Sequence, residues 1–192
     1  MRASLSILIG FLAVLSTSCE RKTQMAKHEP PPQTQAMNWR SNPLLKDRLL
    51  KDYPDDLQVI VHDGGPRLTQ ASPELIWARI TAVVNENTFV ATVLNKPSQL
   101  TKVRERDSIT FMVKEKWEHP VQVRDDYLRE RRSWIISPCE KCGFDELFDA
   151  PSLLISVIFP TASSDAKIEA FTSFCPLCRG VQTVRDKNSD LK

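Results

Sequence analysis

Glycine is scarce in this sequence, which has 5 glycines among 192 residues. The chain contains no G-x-S-x-G nucleophile elbow, no H-E-x-x-H metal motif and no glycine-rich phosphate loop. Its three histidines, His28, His62 and His119, stand in no recognisable ligand spacing, and we expect each of them at the surface or in a turn. The sequence therefore predicts a protein that is not an enzyme and has no small-molecule substrate.

The sequence also lacks a strong excess of either basic or acidic residues. Removing Arg2 with the predicted signal peptide leaves 25 of the 26 Lys and Arg residues, against 24 Asp and Glu residues. This balance lacks the basic footprint of a nucleic-acid-binding protein, so we expect no nucleic-acid partner. The local basic clusters at 102–106 and 129–132 contain acids as well and are typical of a solvated face.

The apolar run at residues 5–15 is too short to cross a membrane, which takes roughly 20 apolar residues. It follows Arg2 and precedes the small residues at 16–18, which is the arrangement of a signal peptide, predicted here at 1–18. The cysteine that comes next makes Leu15 to Cys19 resemble a lipobox, and we expect Cys19 to carry a covalent lipid. Ordinary cleavage would instead leave Cys19 as a free thiol, a liability in an oxidising compartment.

Glu20, which follows the expected lipid-bearing residue, resembles the residue at that position in lipoproteins released to the outer membrane. The expected location is therefore the periplasmic face of the outer membrane, with the lipid as the membrane anchor. Residues 19–40 are polar and include Pro30 to Pro32, which predicts a disordered tether.

Residues 41–135 are expected to form a small α+β domain. Ser41-Asn42-Pro43 is typical of a helix start, and apolar residues on one face predict a covering helix at 43–53. Alternating or β-branched runs predict strands at 57–61, 77–83, 88–94 and 108–113. The expected fold class is α+β, a small antiparallel sheet or open barrel covered by one helix.

The middle of the chain resembles a known family. The runs 75–80, 89–97, 103–107 and 109–111 are similar to bacterial domain-of-unknown-function family 2314, most recognisably at Trp77, Asn95, Pro97, Asp107 and Phe111. The resemblance implies an architecture and brings no catalytic residues with it.

Four cysteines dominate the C-terminal part, in two C-x-x-C pairs: Cys139 with Cys142, and Cys175 with Cys178. Each spacing lets two thiolates converge on one tetrahedral metal, and the pairs resemble the knuckles of a zinc ribbon, with Gly143 and Gly180 suiting the tight turns. The apolar runs at 153–159 and 168–174 predict a β-hairpin between the knuckles. We expect a four-cysteine module at 136–185 and a flexible tail at 186–192.

Three hypotheses compete for these cysteines. A structural zinc site is favoured, because a closed four-thiolate site stabilises a small module. Disulfides are the alternative that suits an oxidising envelope. A redox C-x-x-C is the third, although its flanks lack the helix that lowers a catalytic thiol pKa.

Together these features predict a non-catalytic periplasmic lipoprotein that binds a protein partner, specifically an immunity or inhibitor protein that neutralises a toxic effector such as a secreted toxin. An envelope thiol–disulfide protein and an assembly or scaffolding lipoprotein are the alternatives. Aromatic and arginine residues dominate interface hot spots, and Trp117 is expected to be exposed. The candidate partner-binding residues are Trp117, Lys114, Lys116, Arg129, Arg131 and Arg132.

Overall fold

The computed structural model describes residues 38–163 and 166–191. The predicted signal peptide, Cys19 and most of the predicted tether lie outside these described residues. Neither α-helix in the described part has the length and apolar composition needed to cross a bilayer.

The first part of the described chain is a closed five-stranded barrel. Neighbouring strands pair antiparallel in chain order, and the last strand closes the barrel by pairing parallel with the first at Ile60 and Val121. The barrel strands are β1 (Asp56–Val61), β2 (Glu74–Asn85), β3 (Thr88–Val93), β4 (Ser108–Met112) and β5 (Val121–Val123).

The side chains that point inward from the strands fill the interior of the barrel. Leu57, Val59 and Val61 on β1 are fully buried, because every second residue of a strand points to the same face. The rings of Phe89 and Phe111 stack in the interior, with centroids 5.4 Å apart. The register of β2 against β3 shifts twice beyond Ile80, and such bulges add the twist that closes a sheet. The α+β class with a barrel-like sheet is thus confirmed.

The covering helix predicted at 43–53 is wrong, because residues 43–48 form turns and the segment 49–55 has no regular structure. Backbone bonds of helical spacing end at Leu49: Leu50 N donates instead to Asp56 O at 3.1 Å, and the Arg48 guanidinium donates to the Lys114 carbonyl at 3.3 Å. Short isolated helices are marginal in water, so a segment of this length needs tertiary packing to stay helical. Leu45 still packs fully buried into the barrel core.

A three-stranded sheet and two α-helices follow the barrel in the chain. Its three strands pair antiparallel in the order β6-β8-β7, and a 3-10 helix at Lys187–Leu191 ends the described chain where a flexible tail was predicted. The elements are α1 (Asp125–Arg131), β6 (Trp134–Ile136), α2 (Pro151–Ile158), β7 (Ala170–Phe174) and β8 (Val181–Asp186).

The strand predicted at 153–159 is wrong, because this run is helix α2. Pro151 suits the first helical turn, and the Glu130 carboxylate accepts hydrogen bonds from Ser152 N at 2.8 Å and Ser152 Oγ at 2.5 Å. Pro151 and Leu154 are the buried residues of the helix. Helix α2 therefore replaces the first strand of the predicted hairpin, and β7 pairs with β8 instead.

The barrel and the C-terminal part share a core. Met112, Val121 and Val123 of the barrel pack in one cluster with Tyr127 and Phe148. The loop after β1 is tied to the same region, because Gly65 N donates to Asp149 Oδ2 at 2.6 Å. The two predicted segments, 41–135 and 136–185, are therefore packed against one another.

Candidate metal centre

The sheet topology brings the two C-x-x-C pairs together. Strands β6 and β7 flank β8 and are both antiparallel to it, so they run in the same direction and end at the same edge. Cys175 directly follows β7, and two residues separate Cys139 from the end of β6. The strand between them, β8, comes last in the chain and was not predicted from the sequence.

The four sulfurs form one compact cluster, with all Sγ atoms within 4.8 Å of one another. Three of the Sγ separations are 3.3 Å for Cys142–Cys178, 3.4 Å for Cys139–Cys178 and 3.5 Å for Cys142–Cys175. All four cysteines are free thiols. Zn–S bonds of about 2.3 Å in a tetrahedron place sulfurs about 3.8 Å apart, so the cluster could hold a metal ion such as zinc.

The first knuckle is a tight backbone loop. Gly143 N donates to Cys139 O at 2.8 Å, and Cys139 N donates to Phe144 O at 2.8 Å. Gly143 has φ +76°, a left-handed conformation that glycine adopts without steric cost. Gly143 therefore lies in the tight turn, as predicted from the sequence.

The second knuckle repeats the same bonds. Arg179 N donates to Cys175 O at 2.9 Å, and Cys175 N donates to Gly180 O at 2.6 Å. The left-handed residue is here Arg179, with φ 60°, so Gly180 is not the turn residue that the sequence suggested. Gly180 is needed for space instead, because a Cβ built on it would lie 2.6 Å from Cys139 Sγ.

Backbone N–H groups make one of the thiols acidic. Desolvation acts to raise the pKa of Cys139, but hydrogen bonds from the backbone of Cys142 and Lys141 outweigh it, and the pKa falls to about 7. Burial raises the pKa of both Cys142 and Cys175. A divalent cation would let all four sulfurs ionise, because metal binding displaces thiol protons.

A cleft of about 630 Å³ lies beside the cysteine cluster. Its barrel side is formed by residues 114–119 and by Ile60 and Val121, and its other side by residues 142–145 and Leu177. Cys142 of the four-cysteine cluster thus forms part of the cleft wall.

The expected exposure of Trp117 is wrong, since only 8% of this residue is accessible. Its indole Nε1 donates to Asp145 at 3.0 Å, and its ring centroid lies 5.0 Å from that of Phe144. Lys114 is also engaged, with its Nζ 2.9 Å from Asp145 Oδ2. Of this predicted group, Lys116 is exposed on the cleft wall.

The arginines of the basic cluster at 129–132 differ in exposure, because one of them binds a buried carboxylate. Glu146, 2% exposed, accepts hydrogen bonds from Lys114, Tyr127 and Arg131, the last through Nη2 to Oε1 at 2.8 Å. Arg131 is therefore part of the interior network and not of a free surface. Arg129 and Arg132 are exposed and do not line the cleft. The sequence analysis missed Glu146; the signal that could have found it is the set of acids interspersed among apolar residues at 144–150.

His62 is buried, which corrects the expectation of a surface or turn position. Its ring stacks on Phe148 with centroids 3.8 Å apart, and its Nε2 lies 3.0 Å from Gln122 O. Burial is the main cause that lowers the pKa of His62 to about 4. The side chain is therefore neutral at physiological pH and is not among the candidate metal ligands.

The residues that carry the family resemblance have structural roles here. Trp77 N donates to Asn95 Oδ1 at 2.7 Å, Asp107 Oδ2 accepts from Arg104 N at 2.7 Å, and Phe111 is fully buried. Comparisons with protein-family models, with curated proteins and with solved structures found no match. The resemblance stays a prediction.

Proposed function

We propose that this chain is a non-catalytic lipoprotein of the cell envelope whose four cysteines hold a structural zinc ion and whose cleft binds a protein partner. The favoured version is an immunity or inhibitor protein that neutralises a toxic effector in the periplasm. The observation that carries the proposal is the closed set of four cysteine sulfurs beside the cleft.

Four protein thiolates occupy all four positions of a tetrahedral zinc ion. Catalytic zinc sites keep one position for water or substrate, whereas a four-cysteine site keeps none. The proposed ion therefore stabilises the fold by joining residues after β6 to residues after β7, and it supplies no Lewis-acid chemistry.

The distribution of thiol acidity argues against the redox alternative. An exchange enzyme attacks with an accessible, low-pKa thiolate. Here the acidic thiol belongs to Cys139, a residue that is only 3% exposed. Cys142 is an exposed residue, but partial desolvation of its sulfur raises the pKa of the thiol. Accessibility and acidity belong to different sulfurs, which favours metal binding.

The cleft has the composition of a recognition site. Val121, Phe144 and Leu177 provide apolar lining, and the exposed charges of Glu115, Lys116 and Glu118 form a polar rim. Apolar centres with polar rims are typical of protein interfaces. A partner segment seated here would contact Lys116, whereas Arg129 lies on the outer side of α1.

A photo-crosslinking amino acid at position 116, placed in the full chain and expressed in the producing cell, tests the proposal. The matched control carries the same amino acid at position 129. We expect one dominant protein adduct from position 116 and, with the purified partner, saturation at one-to-one stoichiometry. Adducts from position 129 alone, or turnover of the partner at substoichiometric protein, would contradict the proposal.

A further inference from the structure

The four cysteines differ sharply in their exposure. Cys139 and Cys175, the first residue of each pair, are 3% and 0% exposed. Cys142 is exposed and lines the cleft, and Cys178 is half-buried. Solvent therefore reaches the second cysteine of each pair and not the first.

The two accessible sulfurs also lie close together. Cys142 Sγ and Cys178 Sγ are 3.3 Å apart, and they belong to different knuckles. A disulfide needs about 2.05 Å between sulfurs, so a displacement of little more than 1 Å brings this pair to bonding distance. Both residues lie in the turns at the tips of the knuckles.

We propose that the cluster is an oxidation site in which peroxide joins Cys142 to Cys178 and expels the metal. The disulfide half of this inference rests on the geometry of the cysteines, and the metal half rests on the zinc ion proposed above. Cys139 and Cys175 remain reduced because their sulfurs are shielded by the knuckle backbone.

The chemistry balances with hydrogen peroxide as the oxidant. As a zinc ligand Cys142 is ionised in spite of its raised pKa, because metal binding displaces the thiol proton. The Cys142 thiolate attacks one peroxide oxygen, the O–O bond breaks, and hydroxide leaves as a sulfenic acid forms. The Cys178 thiolate then attacks the Cys142 sulfur, the S–S bond forms, and a second hydroxide leaves as the S–O bond breaks. Two electrons pass from the two sulfurs to the two oxygens, and two protons convert the hydroxides to water.

Loss of two of four ligands releases the divalent cation, because the remaining pair no longer closes a tetrahedral site. The new bond keeps the two knuckles joined after the metal has left. The cleft wall that contains Cys142 and Gly143 then changes with the oxidation state. This links the proposed partner site to the redox state of the envelope.

The test uses the full-length wild-type chain. Its metal content is measured first, hydrogen peroxide is then added in steps, and released zinc is followed with a chromophoric chelator. At each step the free thiols are alkylated, and peptides are mapped by mass spectrometry before and after reduction. The expected result is one zinc released per Cys142–Cys178 disulfide, with Cys139 and Cys175 alkylated, and recovery after reductant and zinc.

A disulfide within one knuckle, Cys139–Cys142 or Cys175–Cys178, would overturn the inference, as would equal oxidation of all four thiols. A Cys142→Ser chain that still forms an intramolecular disulfide among the other three cysteines would do the same. Protein that carries no metal before oxidation overturns the zinc proposal alone, since the disulfide map of that sample still tests the pairing.

Discussion

The backbone of Gly180 passes so close to Cys139 that a Cβ on residue 180 would lie 2.6 Å from the Cys139 sulfur. The contact joins the two knuckles at the metal site, and no flexible side chain can move to relieve it, because Cys139 itself is a candidate ligand.

Gly180→Ala is therefore expected to weaken zinc binding by at least tenfold, as the cluster must expand to admit a methyl group. Competition with a chelator of known affinity measures the change. Gly143→Ala is the comparison. A Cβ added at residue 143 would lie in open space, so the effect of that substitution comes from the positive φ alone. An unchanged affinity in the Gly180→Ala protein would contradict the packing argument.

One zinc ion per chain is expected in the purified protein, and Cys142→Ser is expected to lose it, because three thiolates do not close the site. Elemental analysis after gel filtration gives the stoichiometry. Cys19→Ser is the matched control, since it removes a cysteine outside the two C-x-x-C pairs and should leave the zinc content at one.

Glu146→Gln is expected to lower the free energy of unfolding by about 3 kcal/mol. The substitution removes the negative charge that Lys114 and Arg131 share, and each of these side chains is about three-quarters buried. Urea denaturation measures the loss, with the exposed Glu115→Gln as the control. Equal stability of the two variants would show that the network contributes no net stability.

His62 predicts a dependence of stability on pH. Its pKa is about 4 in the folded protein against 6.5 in an exposed histidine, mainly because burial disfavours the charged ring. The unfolded chain therefore takes up this proton first as the pH falls. The stability that neutral His62 contributes is present above pH 6.5 and is lost as the pH falls toward 4, by up to about 3 kcal/mol.

Urea unfolding between pH 4 and pH 7 tests this dependence. The His62→Gln protein should show a flatter slope between pH 4.5 and 6.5 than the wild-type protein. Parallel curves for wild type and His62→Gln would rule out a buried neutral histidine as the cause.

Membrane attachment is expected to depend on Cys19. Cys19→Ala should move the protein from the membrane fraction to the soluble fraction, because a covalent lipid is the proposed anchor. Metabolic labelling with a fatty acid provides the direct measurement. Label that still enters the Cys19→Ala chain would exclude this residue as the acceptor.

Local sequence patterns were sufficient for four of the five barrel strands, β1 to β4, and for the cysteine pairs, whereas the short strand β5 was not predicted. Alternation in runs such as 88–94 reflects a strand with one buried face, and this pattern needs no knowledge of distant residues. The C-x-x-C spacing likewise predicts a knuckle from local backbone geometry alone, and the structure brings the two pairs into one cluster.

Other features depend on residues far apart in the chain. The run 153–159 has the composition of a strand, but the distant Glu130 carboxylate caps it as a helix. Residues 43–53 have a helical apolar pattern, but Arg48 is bound to carbonyls of the segment 114–117. In each case a tertiary hydrogen bond outweighs a local preference of a few tenths of a kcal/mol per residue.

The sequence by itself determined strands β1 to β4 and β7, the ligand spacing and the turn at Gly143. Only the tertiary structure decided that β8 lies between β6 and β7, which aligns the ends of those strands and gathers four sulfurs at one edge. It also decided that Trp117 is buried and Lys116 is exposed. The physical reason is that burial and pairing depend on which distant segments meet, and composition near a residue does not specify its distant neighbours.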